Sequence, residues 1–176
     1  MTIKPKLKIS KLDAAKRQLE TAIRLYFNEA DPVSIHTLAG AAHTILRDLN
    51  NKYGGKPMIV SDYLVKDEFK KQVRKKINEA KNHFKHADED PESSIDFRPE
   101  VNEFVIFDAC EKYIELTSEK VPYFIIFRIW FAGKHPNILI LSSNQKDQVK
   151  KNIAAFGSNK TEYFSTMLAV SGTINR

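Results

Sequence analysis

At 176 residues, with 42% hydrophobic and 28% charged side chains, the chain is the size of one domain and has enough apolar material to bury a core without staples. Six glycines, seven prolines and a single cysteine exclude a collagen-like or loop-rich chain and any intramolecular disulfide. The formal net charge of +6 is unevenly spread: residues 1–30, 66–87 and 121–176 are basic, while 88–120 carry eleven acids against three Lys/Arg. Such a pattern admits a polyanionic partner for the basic stretches, or neutralisation of the 66–87 block by the acidic one, within the fold or across a dimer.

Residues 1–10 read as a flexible basic arm with Lys4, Lys6 and Lys8. No apolar h-region follows the first basic residues, so no secretory signal is expected. A first helix is predicted over 11–28, where Leu12, Ala15, Leu19, Ala22, Ile23 and Tyr26 recur at three- and four-residue steps. A second helix starts at Asp31 and Pro32, a capping side chain followed by a residue that loses nothing by lacking an N–H. Its core face is Ile35, Leu38, Ala39, Ala42, Ile45, Leu46 and Leu49, and the small run over 39–42 invites close approach by another helix. Gly54 and Gly55 lie in the turn over 50–57 that ends it.

The third helix is predicted over 61–86, with Val65, Phe69, Val73, Ile77, Ala80 and Phe84 inward and lysines crowding the rest. An acidic loop with Pro91 and Pro99 covers 88–99. The fourth helix, 100–117, has four successive apolar residues at 104–107 and is expected to be deeply buried, followed by Asp108 as an exposed or hydrogen-bonded acid. Cys110 lies in an apolar run and reads as a small buried hydrophobe in a reducing, cytoplasmic setting. The segment 121–131 suits a strand by its Tyr, Phe, Ile and Trp content, but a buried helix opened by Pro122 is favoured. The longest apolar run, 121–132, is interrupted by Arg128 and falls well short of the roughly 20 residues that span a bilayer, so no membrane partner is expected. A further helical stretch is expected from Pro136 to a cap at Gly157, and a short last helix over 161–170. The sum is an all-α, antiparallel helical bundle of about five to seven helices, with 1–10 an arm and 11–176 one domain.

The most specific local pattern is Lys81-Asn82-His83-Phe84-Lys85-His86, at the end of the basic helix. A histidine of near-neutral pKa can move protons during phosphodiester cleavage. A cation and an amide beside it can hold a phosphate and stabilise developing charge. Ribonucleic acid carries its own nucleophile in the 2′-hydroxyl, so the chemistry needs neither metal nor cofactor. The segment resembles the ribonuclease motif of HEPN domains, small helical bundles of bacterial defence and toxin–antitoxin systems, in which an arginine, usually followed by a polar residue, precedes a histidine with four to six residues between them. Lys81 stands at the arginine position, Asn82 at the polar one and His86 at the histidine one, with four residues between Lys81 and His86. A lysine lacks the guanidinium fork of the motif arginine.

The resemblance implies Lys81, Asn82 and His86 as catalytic residues facing one cleft. It also implies a homodimer that joins two such motifs, and either RNA or a protein partner such as a nucleotidyltransferase. Lys71, Arg74, Lys75 and Lys85 are the candidate RNA-binding cations of the same helix.

Two other readings stay open. One is a metal-binding helical bundle, with His36 and His43 seven residues apart on one helix and His83 and His86, beside Glu79, on another. No Glu-x-x-His repeat or zinc-finger ligand set accompanies them, so no metal ligands are assigned. The other is a non-catalytic dimeric interaction module, using the basic faces and the small-residue helix for a protein partner.

Overall fold

The computed structural model describes residues 6–55, 67–86, 88, 90–157 and 159–174. Among these the chain is all-α, an assembly of seven helices with no β-strand: α1 (Lys11–Phe27), α2 (Pro32–Lys52), α3 (Asp67–His83), α4 (Val101–Thr117), α5 (Pro122–Lys134), α6 (Ser143–Ala154) and α7 (Lys160–Ile174). The first half of the basic arm and the expected first turns of the third helix, 61–66, lie outside the described residues.

Local chemistry sets the helix starts. Ser10 and Asp13 form a reciprocal capping box at α1, with the Asp13 amide donating to Ser10 Oγ at 3.0 Å. Asp31 accepts from the Ser34 amide at 2.7 Å, and Pro32 occupies the first position of α2. The stripe Ala15, Leu19, Ala22, Ile23, Tyr26 and Phe27 turns inward from α1, against α2 and α4. The stretch 121–131 resolves as α5, opened by Pro122, with Phe124, Phe127, Trp130 and Phe131 buried at helical spacing. One boundary differs from the sequence reading. Helix α6 starts at Ser143 rather than Pro136, because Ser142 and Gln145 make the capping box there while Ile138, Leu139 and Leu141 dock as a non-helical linker.

Helix α4 is the axis of the molecule and touches α1, α2, α3 and α5. Every residue from Val101 to Tyr113 except Phe104 is buried. Partners on all sides leave it no solvent stripe, so its polar residues must be satisfied inside. The apolar core continues into an aromatic cluster in which Phe27 stacks on Phe164 at 4.5 Å and meets Trp130 and Phe127 edge-on. Helix α6 can lie against α5 because position 133 is glycine. A Cβ there would sit 2.7 Å from Ile153 Cγ1 and 2.9 Å from the Val149 carbonyl.

Candidate functional site

The motif segment lies where α3 runs out. Its last helical residue is His83, and the turn that follows is held by the His86 and Lys85 amides donating to the Asn82 carbonyl. Phe84 pins this turn to the body of the protein. Its ring meets Phe97 and His36 edge-on at 5.0 and 5.6 Å. With Phe84 turned inward, its neighbours at 82, 83 and 86 turn outward.

These outward residues form one wall of an open cavity of about 630 Å³. Glu79, Asn82, His83 and His86 come from the α3 side, and Asp88, Asp90 and Ser93 from the returning loop. The Ser93 hydroxyl lies 3.4 Å from His83 Nδ1, and an Asp88 carboxylate oxygen lies 3.9 Å from His86 Nδ1. Part of the acidic block thus folds back over the end of the basic helix.

The motif residues do not all reach this cavity. Asn82 and His86 line it; Lys81 does not. Lys81 is half-buried on the adjoining flank of α3, where its stem lies against α2. A Cβ at Gly40 would meet Lys81 Cγ at 3.5 Å. Burial first, then the charges of Arg47 and Lys85, hold the Lys81 ammonium below the ordinary lysine pKa, with Asp48 offsetting in part. Arg47 of α2, which the sequence reading did not single out, is near enough to oppose the Lys81 charge but is itself paired with Asp48 at 3.0 Å. Lys71, Lys75 and Lys85 are exposed, and the side chain of Arg74 lies outside those described.

The histidines of α2 are core groups. His36 Nδ1 is 2.8 Å from Asn102 Oδ1, and His43 Nε2 is 2.8 Å from Asp108 Oδ2. Burial lowers the His36 pKa against the Asn102 hydrogen bond, and Lys81 and Lys85 add to the lowering. Among the described residues, no group of three or more His, Cys, Asp or Glu side chains is gathered as a metal site would require.

Comparison with protein-family models, curated proteins and solved structures finds no match to this chain.

A second polar centre escaped the sequence reading. Glu103 of α4 is buried and accepts hydrogen bonds from Tyr26 Oη at 2.8 Å, Lys134 Nζ at 2.5 Å and His135 Nε2 at 2.6 Å. Trp130 Nε1 in turn donates to Tyr26 Oη. Burial pushes the Glu103 carboxyl up, but the bonds from His135 and Lys134 outweigh it, and the group titrates below the ordinary glutamate value. No local pattern announces this centre, because its donors come from α1 and from the end of α5, both far from Glu103 in sequence. The contacts of His83 with Ser93 and of His86 with Asp88 had a fainter signal, two histidines three residues apart at a helix end followed by an acidic, serine-containing loop.

Proposed function

We propose that this protein is a HEPN-like RNA-binding protein that cleaves RNA at the end of α3. The observation that carries the reading is the placement of Asn82 and His86 on one solvent-reachable cavity, with Lys81 and Lys85 in the same stretch of chain. His86 serves as an acid/base, Asn82 as a hydrogen-bonder to phosphate, and Lys81 as a cation along the strand rather than inside the cavity. The Lys81 and Lys85 charges repel, and a phosphate backbone relieves that repulsion as it binds. Lys71 and Lys75, exposed on α3, add further positive charge to the same helix. As in HEPN proteins, a homodimer bringing two such cavities together is part of the proposal, and so is a protein partner that restrains the activity.

The test is incubation of mixed RNA with the wild-type protein and with His86→Ala, in EDTA. Cleavage by the wild type alone is the expected result. Equal survival of the RNA in both would remove the enzyme reading. Filter binding of intact RNA by His86→Ala, weakened by Lys81→Ala and Lys85→Ala, would then decide whether binding alone remains.

A further inference from the structure

Beyond the motif, three features stand out: the cavity of about 270 Å³ beside Glu103, the uncharged second half of α7, and the loop contacts made by His83 and His86. The groups deepest in the first are already bonded to one another, and nothing marks what would cover the second. The third carries an inference.

Two imidazoles line the α3 cavity, not one. Each is met at Nδ1 by a residue of the returning loop: His83 by the Ser93 hydroxyl at 3.4 Å, His86 by the Asp88 carboxylate at 3.9 Å. Neither Nε2 has a hydrogen-bond partner among the described residues. The Ser93 contact, at the long end of hydrogen bonding, orients the His83 ring from Nδ1; Asp88 stands at ion-pair distance from His86, beyond a hydrogen bond; and each Nε2 is left to exchange protons with a third party. A hydroxyl faces one ring and a carboxylate the other, so the two neighbourhoods differ in charge. Glu79, Asp88 and Asp90 are the acids facing the cavity, and Lys81 and Lys85 are the cations on its flank.

The geometry points to a two-imidazole proton relay in this cavity, with His83 the base, His86 the acid, and Ser93 and Asp88 their positioning residues. It rests on the RNA-cleaving reading above and adds a second catalytic group to it. His83 Nε2 takes the proton of a ribose 2′-hydroxyl as that oxygen attacks the neighbouring phosphorus. The bond from phosphorus to the 5′ oxygen breaks with its electron pair on oxygen, and His86 Nε2–H protonates the leaving oxygen. The products are a 2′,3′-cyclic phosphate and a 5′-hydroxyl end. No oxidant, reductant or co-reactant is consumed, and solvent resets both protons.

The experiment follows cleavage of an end-labelled single-stranded RNA of mixed sequence in EDTA, across pH, with products resolved by their termini. The wild type should give cyclic-phosphate ends and a bell-shaped profile. His83→Ala should lose about 100-fold or more and lose the fall in rate on the acidic side, since that fall reports protonation of the base. His86→Ala should lose a similar factor and lose the fall on the alkaline side. Ser93→Ala and Asp88→Asn should each lose less, and the conservative variants Ser93→Thr and Asp88→Glu should restore most of the rate.

His83→Asn guards against a folding artefact. Its amide can replace Nδ1 against Ser93 but has nothing at Nε2, so it should fold like the wild type and cleave like His83→Ala. Full activity in His83→Ala with none in His86→Ala overturns the relay and leaves the RNA-cleaving reading standing. Intact RNA with wild type at every pH overturns both.

Discussion

Glu103 and His86 each sit among polar groups, but the two neighbourhoods are built on opposite terms. Around Glu103 the donors are matched to the acceptors. The carboxylate is buried, a phenol, an ammonium and an imidazole bond it, and the phenol is itself bonded by an indole. Around His86 the arrangement is open. The ring is exposed, the Asp88 carboxylate stands 3.9 Å from its Nδ1, and the residue lines the cavity. A saturated buried cluster has no bonding capacity left for a ligand and holds helices together. An open one contributes little to stability and keeps its hydrogen-bonding groups for something else.

Removing Glu103 should break that contrast most visibly. Glu103→Ala leaves the Tyr26 hydroxyl and the His135 ring without their acceptor, and should cost about 3 kcal/mol in urea unfolding. His86→Ala, at an exposed site, should change stability by less than about 0.5 kcal/mol. Equal effects at the two positions would mean that the end of α3 is as structural as the core.

The next largest effect tests the α5–α6 contact. Gly133→Ala places a methyl group 2.9 Å from the Val149 carbonyl, a backbone atom that moves only with α6. Overpacking of this kind should cost about 1–3 kcal/mol in thermal or urea unfolding. A neutral result would mean that α6, which has no fully buried residue, shifts freely on α5.

How much of this was legible in advance divides along the same line. The stripes of α1 and α2 could be read because a buried helix face repeats at local spacing, and Asp31–Pro32 and Pro122 marked helix starts. The α6 boundary was misplaced because Pro136 reads as a start, whereas the Ser142–Gln145 capping box sets the start and docking of Ile138 and Leu141 keeps the linker non-helical. The polar centres were not legible as pairs. Tyr26 meets Glu103, His43 meets Asp108 and His36 meets Asn102 across gaps of 77, 65 and 66 residues, which no local pattern encodes. At the candidate site the spacing from Lys81 to His86 was visible. The inward turn of Phe84 was visible too; that Lys81 and His86 then take different flanks required the fold.

Acid should act on the core before it reaches Glu103. His36 is harder to protonate in the fold than in the unfolded chain, so the unfolded state binds more protons and stability rises with pH. Its contribution is complete above the unfolded value of about 6.5 and is lost as pH falls through the folded one. One such group changes stability by at most about 1.4 kcal/mol per pH unit. Denaturation curves at pH 7, 6 and 5 should show the decline, and His36→Gln should flatten it. The Glu103 carboxyl, also depressed, loses its contribution only in the lower window beneath the ordinary glutamate value. A decline that persists unchanged in His36→Gln would assign it to another group.

The smallest expected effect is of opposite sign. Gly40 lies inside α2 under the stem of Lys81, and a methyl group there would meet Lys81 Cγ at 3.5 Å, an ordinary contact distance. With no clash to offset it, the gain in helix propensity should stabilise Gly40→Ala by about 0.5–1 kcal/mol. RNA binding should stay at the wild-type level, because the Lys81 ammonium beyond the contact is not displaced. Melting temperature and RNA affinity measured on the same variant separate the two roles of this flank. A loss of affinity alongside the gain in stability would mean that the position of the Lys81 stem, and not only its charge, is tuned by the missing side chain at position 40.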